Sequence, residues 1–176
     1  MAASTLHGMT SSDTRPEPPM LGGEREQLTG FLDFQRATVV WKATGLSDEQ
    51  ARRPLVASQL TAIAPLLSHL RYVERYWFAV VFEGKEDTWA EELKSDPDIE
   101  FRVGLDKSLS RLIAEYEAEC ATNREIAARL DLDARGYHRG DPVNLRWVLV
   151  HMVEETARHA GHLDLLRENI DGATGE

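Results

Sequence analysis

The chain has 176 residues, 42% hydrophobic and 28% charged, which suits one soluble globular domain large enough to bury a core. Its formal charge of −10, from 30 acidic against 20 basic residues, repels phosphate backbones and anionic lipid surfaces and argues against nucleic-acid or membrane partners. Its one cysteine, Cys120, cannot form an internal disulfide, and no run approaches the ~20 apolar residues that span a bilayer, so a cytoplasmic protein is expected.

The opening MAASTLHGMTSSDTRPEPPM lacks the apolar centre of a signal peptide and is rich in Ser, Thr and Pro. Residues 1–22 are therefore expected to be a disordered arm, and residues 23–173 a single helical domain. Leu28, Phe31, Leu32 and Val39 recur at helical spacing and predict helix one over Glu24–Thr44, with Gly45 as its stop. LSDEQARRPL then reads as a short connecting helix, because Ser47 and Gln50 have capping-box spacing.

Helix two is predicted over Thr61–Glu83, where Leu66, Leu70, Val73, Trp77 and Val81 form one stripe and Pro65 sits near the first turn. Residues 84–104 are charged and broken by Pro97, yet contain Trp89, Ile99 and Phe101, so this connection is expected to fold over the helices and shape a pocket. Helix three carries Leu109, Leu112, Ile113, Tyr116, Cys120 and Ile126 on one stripe, which makes Cys120 a small core residue. After a turn containing Gly136, Gly140 and Pro142, helix four spans Leu145–Ile170, with Asn144 as N-cap and Gly172 as C-cap. Four such helices, without a strand pattern or internal repeat, predict an all-α four-helix bundle with a long crossover between helices two and three.

Helix four raises the question of chemistry. At about 100° per residue, His151, Glu155, His159 and His162 fall within a sector of about 80° that also holds Val148 and Leu166, so the sector faces inward. Buried imidazoles and carboxylates need partners, and a divalent cation satisfies several at once. His151 and His159 lie about 12 Å apart along the axis and cannot share one ion. The pairs that remain are His151 with Glu155, Glu155 with His159, and His159 with His162. A third ligand must come from elsewhere, and His69, flanking the buried stripe of helix two, is the natural one, since His7 lies in the arm and His138 in a loop. Such a set leaves coordination positions open and suits zinc, iron or nickel; the scarcity of further carboxylates argues against a di-iron site. The bland alternative pairs these groups with Arg71, Arg75, Arg158 or Arg167 across the helices.

The segments FLDFQRATVVWKATGLSDEQARRPLVAS, HLRYVERYWFAVVF and LRWVLVHMVEETARHAGHLDLLRENIDG resemble the DinB-like superfamily, in the branch of the streptomycete mini-circle protein. The resemblance runs from Glu24 to Gly172. It implies a four-helix bundle with a metal in its core and kinship with thiol-dependent enzymes, among them mycothiol-dependent maleylpyruvate isomerase and bacillithiol transferases. Many relatives carry three histidines, the last two spaced HxxxH; this chain has Glu155-x-x-x-His159 there, the variant of the isomerase branch. Carried over by position, the metal ligands are His69, Glu155 and His159, one of the pairs that helix geometry allows.

On that reading the cofactor is a divalent metal, zinc before nickel or iron, with mycothiol as thiol cosubstrate and an electrophilic small molecule as partner. A metal with open positions holds a thiol as thiolate at neutral pH, so Cys120 is not required. His162 and His151 are the candidate catalytic residues beside the metal. The other readings are a hydrolase in which His162 or His151 shuttles a proton to or from water, and a metal-binding bundle with a structural, ligand-binding or homodimerising role.

Overall fold

The computed structural model describes residues 15–174. Residues 1–14 of the predicted arm, His7 among them, lie outside the described residues. The remainder of that arm runs along the first helix: Arg15 donates to Thr38 Oγ1 at 2.9 Å and covers the rings of Phe34 and Trp41. Gly30 lets Pro18 and Pro19 lie close, since a Cβ there would stand 2.7 Å from Pro19 Cδ.

The chain is mostly helical: α1 (Glu24–Ala43), α2 (Asp48–Ala51), α3 (Ile63–Arg75), α4 (Glu92–Ser95), α5 (Ile99–Arg102), α6 (Leu109–Arg129), the hairpin β1 (Arg135–His138) and β2 (Asp141–Asn144), and α7 (Leu145–Asp171). Local chemistry sets the boundaries. Ser47 and Gln50 close the expected capping box at α2, and Asn144 Oδ1 accepts from Trp147 N at the start of α7. Gly45, Gly84 and Gly172 all take positive φ where helices end.

Helix two differs from expectation in its second half. α3 gives way to a π-helical turn, Tyr76–Val80, in which Val81 N reaches back five residues to Tyr76 O at 3.0 Å. Residues 135–144 form a two-stranded antiparallel hairpin, with Gly136 opposite Val143 and His138 opposite Asp141, rather than a bare turn. Four-residue strands are too short to show alternation, and Pro142 sits on an edge where its missing N–H costs little. The hairpin docks where Tyr137 N donates to Val81 O at 3.1 Å, and Gly136 is required beside it because a Cβ would meet that same carbonyl at 2.7 Å.

Among the described residues, α1 packs on α7 and α3 packs on α6, while α5 lies across α3. Val39, Leu67, Leu70, Tyr116 and Leu163 fill one part of the core, and Leu32, Phe78, Leu145 and Met152 the other. Between helices lies a buried ion pair: Arg36 donates through Nε and Nη2 to both Glu74 oxygens at 2.7 Å, and Asn123 Nδ2 adds a third hydrogen bond at 2.9 Å. It ties α1, α3 and α6 together and leaves neither charge alone in the interior. No helix among the described residues is long and apolar enough to cross a membrane.

Candidate metal centre

Three elements build the site. α3 contributes His69, one turn into its buried stripe; α7 contributes Glu155 and His159, one turn apart on the face opposite; α5, in the crossover, closes over them. One donor atom each from His69, Glu155 and His159 lies within 4.8 Å of the others. Glu155 Oε1 is 3.1 Å from His69 Nε2 and 3.3 Å from His159 Nε2, and the two imidazole rings meet edge to face at 4.8 Å.

The crossover supplies what sequence spacing did not show. Glu100 Oε1 accepts from His69 Nδ1 at 2.8 Å, and Phe101 stacks on the same ring at 4.2 Å and 8°. A carboxylate on the outer nitrogen orients the His69 ring, as outer carboxylates do for metal-bound histidines. The available signal was the Ile99-Glu100-Phe101 run, an apolar pair flanking an acid within a charged segment. Its partner could not be read, because no periodicity relates residue 100 to residue 69.

His69 thus stands between two carboxylates, Glu100 on Nδ1 and Glu155 on Nε2. Two carboxylates facing one imidazole call for positive charge between them, from a proton on the ring or from a cation. The ionisation directions express the same conflict. Hydrogen bonds from His159 and then His69 hold the Glu155 carboxyl far below its usual range. Burial pushes His69 down, but Glu100 and Glu155 more than offset it and raise it above the ordinary imidazole value. A hard-to-soft borderline cation placed among two imidazole nitrogens and one carboxylate oxygen resolves the conflict, and that donor set is one zinc and iron favour. Of the arginines, Arg71 pairs with Glu115 and Arg167 with Asp171, while Arg158 Nη1 makes a long ion pair with Glu155 at 3.9 Å.

The sequence model of the Mycothiol-S-transferase family matches residues 27–172, nearly all of the described chain. The chain belongs to this family. Comparison with curated proteins returns no match. Family membership agrees with the DinB-like resemblance at the level of the thiol transferases.

Within this family member, the remaining histidines take different places. His162 sits one turn beyond His159, with the two Nδ1 atoms 3.3 Å apart, on the solvent side of the cluster. Burial, His159 and Arg158 all push its pKa down. His151 stands away from the three: it stacks on Trp147 at 5.1 Å and meets Trp77 edge-on at 4.8 Å. His138, at the end of β1, stacks on Trp77 at 4.8 Å, and its Nδ1 lies 2.9 Å from Tyr76 Oη. Cys120 is buried in the core, which pushes its thiol well above the ordinary value.

Proposed function

We propose that this protein is a metal-dependent mycothiol S-transferase that joins the thiol to an electrophilic carbon of a small molecule. One observation carries the reading: His69, Glu155 and His159 converge, with Glu155 Oε1 within 3.3 Å of Nε2 of both imidazoles. The family match supports the thiol as cosubstrate. In this reading residues 23–173 form one domain, the four long helices are a four-helix bundle of the DinB-like type, and the crossover between α3 and α6 closes the site.

His69, Glu155 and His159 would hold the cation, zinc first by donor type. Bound there, it supplies the positive charge that keeps a thiol deprotonated at neutral pH. The chain's own residues do the rest. Glu100 orients the His69 ring, Phe101 shields its face, and His162, exposed to solvent one turn beyond His159, would accept the proton given up by the thiol. Cys120 takes no part, being buried and protonated.

The test is elemental analysis of the purified, tag-free protein together with a mycothiol-consumption assay on an electrophile. Near-stoichiometric metal and thiol transfer are expected in the wild type, and both are lost in His159→Ala while the helical content stays. Absence of metal even after reconstitution, or transfer that persists in His159→Ala, overturns the reading.

A further inference from the structure

The outer face of α7 carries apolar groups where exposure to solvent calls for polar ones. Opposite the buried Leu149, Met152, Thr156 and Leu163, six residues fall within a sector of about 80° at 100° per residue and run for about 27 Å. They are Trp147, Val150, Glu154, Arg158, Gly161 and Leu165, and the three large apolar ones are each more than half exposed. We propose that this strip is the contact of a twofold homodimer, in which α7 packs antiparallel against α7 of a second copy.

The order of side chains along the strip is the first argument. Trp147 and Leu165 each stand nine residues from Thr156, on opposite sides; Glu154 and Arg158 each stand two, and Val150 and Gly161 stand six and five. A twofold axis at the level of Thr156 therefore sets Trp147 against Leu165 of the second copy, Val150 against Gly161 and Glu154 against Arg158, and every contact occurs twice. Opposite charges meet at the centre and apolar groups at both ends. A parallel pair in register would instead set Glu154 on Glu154 and Arg158 on Arg158, which like-charge repulsion opposes. The strip is complementary to itself, and this singles out a second copy as its occupant. Within one chain Glu154 already pairs with Arg158 across a helical turn, an exposed ion pair of little worth by itself. Around the axis the four charges form a network.

Gly161 is the second. Glycine inside a helix is destabilising relative to alanine, and a Cβ at this position would meet nothing within 4 Å, so no contact inside the chain requires it. Facing Val150 of the second copy, it lets the two helix axes approach.

Breadth is the third. Glu24 pairs with Arg146 and Lys42 with Asp164, so α1 runs parallel to α7 and brings residue 31 level with residue 153. Phe31 lies on the same side of α1 as Glu24 and Lys42 and is 48% exposed, which widens the apolar strip. Exposed hydrophobic residues scattered singly are ordinary, whereas several aligned on one face mark an interaction surface.

The experiment is analytical ultracentrifugation of the full chain at up to about 100 µM, a range in which a modest interface associates. Wild type is expected to dimerise. Arg158→Glu and Glu154→Arg each bring like charges together at the axis and should weaken the dimer more than about tenfold, with circular dichroism to check that both stay helical. Mixed in equal amounts, these two variants have complementary centres and should associate with each other. The double variant Glu154→Arg/Arg158→Glu should dimerise by itself. Loss of the intrahelical pair alone predicts neither rescue. Monomeric wild type, a dimer that neither charge reversal weakens, or single variants that stay apart on mixing overturns the proposal.

Discussion

Replacing Glu100 by alanine tests how the crossover tunes the centre. The His69 Nδ1–Glu100 Oε1 hydrogen bond is 2.8 Å long, and the two side chains are only 10% and 12% exposed, so water does not easily take over its role. Loss of an outer carboxylate on a metal-bound histidine typically costs about 10- to 100-fold in metal affinity, or about 1.4–2.8 kcal/mol. The fold should tolerate the change, because α5 has no buried residue of its own and Phe101 still covers the His69 ring. Zinc affinity, measured by competition with a chromophoric chelator, is expected to fall by that factor in Glu100→Ala. Glu100→Gln retains an acceptor for the Nδ1 proton and should lose less. A Glu100→Ala protein that binds zinc as tightly as wild type, alongside a His69→Ala protein that does not bind it, would refute the argument that His69 is positioned from α5.

Three further expectations follow from the packing. Cys120 should resist an aromatic disulfide reagent until the protein is unfolded in denaturant, and Cys120→Ala should retain thiol transfer; fast labelling of the native protein would contradict its burial. Glu74→Ala leaves Arg36 with Asp33 alone and strands one amide of Asn123 in the interior, so urea denaturation should show a loss of about 3 kcal/mol. Gly136→Ala must move the hairpin off Val81, with an expected cost of about 1–3 kcal/mol in the same assay; wild-type stability would mean that the contact yields freely.

Helix boundaries were legible in the sequence because they rest on local chemistry. Ser47, Asn144, Gly45, Gly84 and Gly172 act within a turn of where they stand, and each does in the structure what its type predicts. The convergence of His69 with Glu155 and His159 was reachable from periodicity for the α7 pair, and from resemblance for the choice among pairs. Glu100 was not reachable, since its role depends on how a twenty-residue connection folds back, and nothing local encodes that path. The hairpin and the π-helical turn escaped for a related reason. Both are decided by tertiary contacts, through Val81 for the hairpin, while β-branched and aromatic residues in 76–82 fit an ordinary helix equally well. His151 shows the limit of the helical wheel: sharing a sector with Glu155 placed it inward, but Trp77 and Trp147 claim its ring.

The slightness of α5 has a kinetic consequence. Four residues long and held by its packing on α3, this helix is expected to open at lower free energy than the interleaved core. Glu100 and Phe101 leave His69 together whenever it opens, so the imidazole is released without disturbing α3, α6 or α7. For the proposed cation, exchange at the centre should be uncoupled from global unfolding, with a rate that follows amide-proton exchange in residues 99–103.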